Sequence, residues 1–292
     1  AFFEETLKSL ANQTNKQFIV YIGDDASKDD PTFLLKKYKS QFLLEYHRFN
    51  NNLGGVSLVR QWERCIALSK EEEWLMILGD DDYLGNNVVE LFYKYFQEFN
   101  SKANVIRFAS RIVKQELNTI SKVYNHPIWE KATDAYFKKF IEKSRSSLSE
   151  FVFNRVSYKK YGFRNYPLAW HSDDLAWLEF SDFKNIYSIN EAVVSILSSP
   201  ISISGKKDNL TQKNNARLLF LNDLVFKKQN QFSKLQKKYF LFELGILLKE
   251  QNLIKLKNTF FIWLQFVKIG ALYDSLRFLR RMCIAKVERG NS

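Results

Sequence analysis

Three adjacent carboxylates, Asp80, Asp81 and Asp82, follow the apolar run Leu75-Met76-Ile77-Leu78 and a single glycine, Gly79. That much negative charge at a strand tip repels itself unless a cation or polar partners neutralise it. Carboxylate oxygens are the hard donors that Mg²⁺ or Mn²⁺ prefers. A second acidic strand end comes earlier, where Phe18-Ile19-Val20-Tyr21-Ile22 runs into Gly23-Asp24-Asp25-Ala26-Ser27-Lys28-Asp29. A third acidic pair, Asp173-Asp174, stands before Leu175-Ala176-Trp177-Leu178. Two strands ending in acid predict one site at the carboxyl edge of an open α/β sheet. Each cluster also has a plainer reading. Asp80–Asp82 could be a solvated turn, Asp30 before Pro31 could cap a helix near Asp24-Asp25, and Asp173-Asp174 could cap a helix starting at Leu175.

The elements that must position these residues alternate along the first 110 residues. The pattern predicts helices over 3–14 (Leu7 and Leu10 at helical spacing), 31–40, 56–69 and 87–99, with strands over 18–22, 42–47, 74–78 and 105–109. Pro31 suits a first helical turn. Such alternation predicts an α/β fold, a mostly parallel sheet with helices on both faces. Residues 110–205 are less regular, with a helix expected near 133–143 and mixed signals over 149–163. From about Asn209 onward the pattern is helical.

The chain is long enough for a large core and one or two domains. With four Pro and ten Gly it has little room for long linkers. Its two cysteines, Cys65 and Cys283, exclude a disulfide framework or a Cys-rich zinc site, and a reducing compartment is the default. No signal peptide is visible. The three histidines, His47, His126 and His171, are too scattered for a metal site. His171 adjoins the acidic pair, with a structural role the plainer reading. The net charge of +12 is uneven: residues 206–292 hold 18 Lys and Arg against 6 Asp and Glu, and the rest of the chain is neutral. This break sets the expected boundary between a domain over 1–205 and a basic helical segment over 206–292. The longest uncharged apolar run, within 258–267, is too short to span a bilayer. The basic segment could be a helical subdomain with a wet cationic face, or it could lie on an anionic membrane surface. Nucleic-acid binding is not expected, since no recognition motif accompanies the charge.

Taken together, these pieces resemble the family 2 inverting glycosyltransferases of GT-A fold. Residues 5–14 look like that family's first helix, and Gly23-Asp24-Asp25-Ala26-Ser27-Lys28-Asp29 resembles its nucleotide loop. Asn52-Leu53-Gly54-Gly55 with Gln61-Trp62-Glu63-Arg64-Cys65 is similar to its Asn-x-Gly turn and next helix. Leu78-Gly79-Asp80-Asp81-Asp82 looks like its Asp-x-Asp metal motif. Ser149 to Phe163 is similar to the segment before the acceptor site, and Ser172-Asp173-Asp174-Leu175 to the acidic acceptor motif. The resemblance covers about 1–205, with a nucleotide-sugar half over 1–110 and an acceptor half over 111–205. Three features depart from it. Some members carry an Arg after the Asn-x-Gly turn, which Val59 and Arg60 do not match cleanly. The family usually opens with an apolar strand that would precede this sequence, and the stretch 198–205 lacks the His that often helps hold metal or diphosphate.

The resemblance implies a metal-dependent, inverting transfer from a nucleotide-diphosphate sugar, a UDP-sugar favoured, to a hydroxyl of a saccharide or lipid-linked saccharide. Surface polysaccharide synthesis at the cytoplasmic side of the cell membrane is the expected setting. Asp24, Asp25, Ser27, Asn52, Gly54 and Asp80 would contact the nucleotide, Asp25 being the candidate for the base. Asp80, Asp81 and Asp82 would hold Mn²⁺ or Mg²⁺; Asp80 and Asp82 form the spaced pair, and another register selects Asp81. Asp173 or Asp174 would accept the proton of the attacking hydroxyl, with spacing slightly favouring Asp173. Trp170 and Trp177 could stack on sugar faces or pack in the core. Cys65 is expected in the core. The competing class is a non-catalytic GT-A-like scaffold.

Overall fold

The computed structural model describes residues 2–200, 202–206 and 208–290, so Ile201 and Lys207 in the stretches discussed above lie outside the described residues. The chain divides into two compact units, 1–209 and 210–292.

The first unit is built from helices and strands in alternation. Helix α1 (Phe2–Ala11) leads into β1 (Ile19–Asp24), α2 (Thr32–Tyr38), β2 (Leu43–Arg48), α3 (Leu58–Ile66), β3 (Trp74–Met76) and β4 (Tyr83–Leu84). Then come α4 (Val88–Lys94), α5 (Phe96–Phe99), β5 (Val105–Lys114), β6 (Thr119–Ile120), β7 (Trp129–Lys131) and α6 (Ala132–Phe140). The unit closes with β8 (Phe151–Asn154), α7 (Arg155–Tyr161), α8 (Ser172–Phe180) and β9 (Asn185–Ser198).

Among the described residues the strands form two sheets. β1 and β2 pair in parallel, and the larger sheet runs β3-β8-β5-β9-β4, with β6 on β5 and β7 on β9. β5 and β9 are parallel, while β8 runs against both β3 and β5, and β4 and β7 run against β9. The α/β architecture read from the sequence is present, with a sheet of mixed direction. Leu7, Leu10, Leu35 and Phe42 share one core cluster with Phe99, Ile106, Phe108, Ile189 and Val194.

The expected strand over 74–78 leaves the ladder after Met76, because β8 offers partners only to Trp74, Leu75 and Met76. That early exit releases Ile77 to Asp82 as a loop. The helix expected over 87–99 is two helices broken at Tyr95, and the mixed segment 149–163 resolves into β8 followed by α7. α7 stops at Gly162, whose φ of +62° suits a residue without Cβ. β9 is the element least visible beforehand. It is central, and its register against β5 slips between Phe108 and Ala109.

The second unit contains α9 (Leu210–Asn222), α10 (Lys234–Glu250), α11 (Leu256–Lys268) and α12 (Leu272–Gly290), with a π-helical turn over Asp223–Lys227. A full capping box, Ser233 with Gln236, starts α10. Phe240, Leu241 and Leu244 from α10, Phe266 from α11 and Phe278 from α12 are buried, and the Phe266 and Phe278 rings lie 5.4 Å apart. Gly245 lets these helices approach, since a Cβ there would sit 2.7 Å from the Phe278 ring.

Candidate active site

The acidic end of β1 closes on itself. Asp24 Oδ1 accepts the Ser27 N–H at 2.8 Å, and Oδ2 accepts the Tyr46 hydroxyl at 2.8 Å and lies 3.4 Å from Arg48. Burial pushes this carboxyl up, but Ser27, Tyr46 and Arg48 outweigh it and leave the pKa below the usual range. Asp25 takes the Leu53 N–H at 2.7 Å and the Gly54 N–H at 2.8 Å, one on each oxygen, and pairs with Arg64. Asn52 donates to the Asp25 carbonyl at 3.0 Å and accepts from Gly55 at 2.8 Å. Ser27 donates to the Asp29 carbonyl. Thus Asp24, Asp25, Ser27, Asn52 and Gly54 do come together. The Asp25 carboxylate holds the 52–54 turn and Arg64, so a nucleotide base would meet a carboxylate already loaded with three donors. A Cβ at Gly54 would lie 2.7 Å from Asp25 Oδ2, so the turn needs glycine there. Cys65 is half-buried beside Gly23, and burial pushes its thiol up to about 11, out of reach of thiolate chemistry.

The acidic end of β3 is held differently, by its backbone. The Thr6 hydroxyl lies 2.9 Å from the Asp80 carbonyl and 2.8 Å from that of Asp82, so its one proton is shared between them. Ser9 accepts the Leu84 N–H at 3.1 Å, and Gln13 donates to the Gly85 carbonyl at 2.7 Å and accepts from Val89. Thr6 and Ser9 on α1, with Gln13 just past its end, form one polar row that clamps residues 80–89. On the other side, Gly79 N–H donates to Ser149 Oγ at 3.0 Å, and Ser149 hydrogen-bonds the Asp82 carboxyl. Leu197 N–H donates to Asp82 Oδ1 at 2.9 Å, so β9 reaches the site by its backbone next to the His-less stretch.

Asp80 is exposed, Asp81 half-buried and Asp82 buried. Burial, partly offset by Ser149 and Leu197, pushes Asp82 up to about 6, and burial together with the charge of Asp80 raises Asp81. A Cβ added to Gly79 would lie 3.1 Å from both Asp81 Oδ1 and Asp82 Oδ2. Both carboxylates thus lie over Gly79, and oxygen donors are the kind a hard divalent cation takes. Of the expected trio, Asp81 and Asp82 turn inward over Gly79, while Asp80 stands at the surface of the same turn. Among the described residues no three Asp, Glu, His or Cys side chains close into a ligand set.

The acceptor-side pair sits at the start of α8. Asp174 is buried; its Oδ1 lies 2.6 Å from Lys139 Nζ on α6 and its Oδ2 2.8 Å from His171 Nδ1. Burial raises its pKa, but Lys139 and His171 win, holding the carboxyl ionised far below the usual range. Asp173 has the opposite fate. Burial and the adjacent Asp174 charge push it up to about 6, with Lys139 opposing. The chain enters α8 through Leu168, Ala169 and His171, three non-glycine residues with φ between +55° and +68°. Each costs roughly 1 kcal/mol or more, strain of the kind that gathers at functional sites. Trp177 is core, stacked on Phe151 at 4.4 Å; Trp170 is half-buried beside His171. Sequence reasoning did not single out Lys139, Thr6, Ser149 or Arg64. For Thr6 the available signal was the Thr6–Ser9 pair at i and i+3 beside Leu7 and Leu10 on the buried face of α1.

The sequence profile of glycosyl transferase family 2 matches residues 1–162. The chain belongs to glycosyl transferase family 2. Among curated family relatives, the poly(ribitol-phosphate) beta-N-acetylglucosaminyltransferase TarS of Staphylococcus aureus, in strains Mu50 and MW2, is 27% identical over 109 residues. That match covers 36% of this chain and 18% of TarS, so it spans about a fifth of the relative's length. Among solved structures, TarS 1-349 of S. aureus with UDP-GlcNAc superposes with a TM-score of 0.59 at 14% identity, over 100% of this chain and 88% of that one. GalNAc-T7 with UDP, GalNAc and Mn²⁺ gives 0.51 at 10% identity, over 82% and 47%. These likenesses show the GT-A fold.

Proposed function

We propose that this family 2 enzyme is a metal-dependent, inverting glycosyltransferase working in the cytoplasm. It would move a sugar from a nucleotide diphosphate, a UDP-sugar first of all, to a hydroxyl of a saccharide or lipid-linked saccharide in surface polysaccharide synthesis. UDP and UDP-GlcNAc are the ligands named for the TarS structures, and Mn²⁺ is named for GalNAc-T7. The observation that carries the reading is the unequal loading of Asp173 and Asp174. Asp174 has both oxygens committed to Lys139 and His171, so it orients and stays charged. Asp173 keeps a pKa near the working range, which suits a group that must accept a proton at neutral pH. One positioned base and direct displacement at the anomeric carbon give inversion, with no covalent nucleophile required.

On the donor side, the 52–54 turn held by Asp25 shapes a loop at the end of β1, and Thr6 fixes the 80–82 backbone. A divalent ion held by Asp81 and Asp82 would supply positive charge for the departing diphosphate. The test is release of UDP from a panel of UDP-sugars with Mn²⁺, for wild type and Asp173→Asn. Metal-stimulated release with a saccharide acceptor that is lost in Asp173→Asn supports the reading. Unchanged release in Asp173→Asn removes its base.

A further inference from the structure

Segment 255–286, covering α11 and most of α12, carries seven basic residues, Lys255, Lys257, Lys268, Arg277, Arg280, Arg281 and Lys286, and every one is exposed. Its one acid, Asp274, is buried and lies 2.5 Å from Lys238 and 3.7 Å from Arg277. The exposed surface of this segment therefore carries positive charge with no exposed carboxylate to balance it.

Large apolar side chains stand among these cations. On α11, Leu256 and Phe260 follow at i and i+4, and Lys257 and Phe261 form the adjacent row, continued to Lys268. Leu256 is 80% exposed and Phe260 53%. The Phe260 ring lies 6.2 Å from Phe261 and 5.7 Å from Trp263, so the aromatics make a local cluster. The opposite side of the same helix, Ile262, Gln265 and Phe266, is buried. On α12, Leu272, Tyr273 and Leu276 are exposed beside Arg277, whose guanidinium sits 5.8 Å from the Tyr273 ring centre. Exposing rings and leucines to water is unfavourable, at about 25 cal/mol per Å². An occupant must therefore be apolar in depth and anionic at its surface. A neutral protein face would cover the rings and leave the cations uncompensated. A nucleic acid would satisfy the cations and leave Leu256, Leu272 and Leu276 wet. No helix among the described residues is long and apolar enough to cross a membrane.

We propose that the exposed faces of α11 and α12 dock on an anionic lipid surface. The rings and leucines enter the headgroup boundary and the Lys and Arg side chains meet lipid phosphates. This goes beyond the sugar-transfer reading and stands or falls without it, because the test measures binding and not turnover.

The experiment is flotation of the full chain with vesicles of phosphatidylcholine alone and of phosphatidylcholine mixed with phosphatidylglycerol, at low and high salt. Binding should need the anionic lipid and weaken with salt. Two variants then separate the contributions, each checked to keep the parent melting temperature. Lys257→Gln with Lys268→Gln should weaken binding about 25-fold, at about fivefold per cation. Phe260→Ser with Phe261→Ser should weaken it on the order of tenfold at unchanged charge. Equal binding to both vesicle types, or binding to neither, overturns the proposal. So does a concentration-dependent dimer that both variants abolish while vesicles capture nothing, which would assign this face to a second copy of the chain.

Discussion

The acidic ends of β1 and β3 look alike in sequence, an apolar run, a glycine and then aspartates, and the fold uses them in opposite ways. At β1 the carboxylates themselves are the mortar: Asp24 and Asp25 accept from Ser27, Tyr46, Leu53 and Gly54 and face Arg48 and Arg64. At β3 the carbonyls of Asp80 and Asp82 are bonded to Thr6; the Asp82 carboxyl takes Ser149 and the Leu197 N–H, whereas the half-buried Asp81 carboxylate lies over Gly79 without a guanidinium partner among the described residues. A carboxylate saturated by N–H donors and a guanidinium has little left for a ligand. One whose loop is held through the backbone remains available. The same contrast recurs within two residues at α8, where Asp174 is saturated and Asp173 is not.

Substitutions sharpen this contrast, and the largest effect belongs to α8. Asp173→Asn should cut turnover by about 10³-fold, the scale of a lost general base, with no change in melting temperature. Asp174→Asn should instead unfold the enzyme more readily, by about 3 kcal/mol in a denaturant titration, because the buried carboxylate is lost and the half-buried Lys139 and His171 lose their partner charge. If both variants lose activity and neither loses stability, the division of labour at α8 is wrong. Next in size, Asp25→Asn turns an amide donor toward the Leu53 or Gly54 N–H and weakens the Arg64 pair. It should cost about 2 kcal/mol of stability. Thr6→Val should cost about 1 kcal/mol, the worth of one shared hydroxyl bond, and raise the donor KM several-fold by loosening residues 80–82.

The smallest effect is on pH dependence. The base must be deprotonated to accept a proton, and Asp173 is pushed up to about 6. Plotted against pH, kcat/KM should therefore be flat above about 7 and fall about tenfold per unit below 6. Lys139→Met removes the cation that opposes the rise in Asp173, so the limb should move to higher pH. A limb that stays put would show that Lys139 does not act on Asp173.

The parts of this arrangement that were legible in the sequence are those set by local pattern. The apolar runs of β1 and β3 and the helical spacing of Leu7 and Leu10 mark their elements, because strand and helix periods need no tertiary information. β9 escaped because its run is interrupted at Asn190-Glu191-Ala192, where the register slips past β5. At the site, residue type picked out the aspartates, but their partners decide what each can do. Those partners come from far along the chain: Asp25 meets Arg64, Asp82 meets Ser149 and Leu197, and Asp174 meets Lys139. Spacing alone favoured Asp80 with Asp82 as the paired oxygens. The turn at Gly79, tied to Ser149, lays the Asp81 and Asp82 carboxylates over that glycine and leaves Asp80 exposed, a placement no spacing rule supplies.

The two acidic strand ends thus differ in kind: Asp25 is committed to its own turn, and Asp81 is not. The most direct measurement is calorimetric titration of UDP, with and without Mn²⁺, into wild type, Asp81→Asn and Asp25→Asn. Mn²⁺ should tighten UDP binding in wild type and in folded Asp25→Asn, and Asp81→Asn should lose the Mn²⁺ response while keeping its melting temperature. A Mn²⁺ response that survives in Asp81→Asn and vanishes in Asp25→Asn would contradict this difference and reverse the roles of the two strand ends.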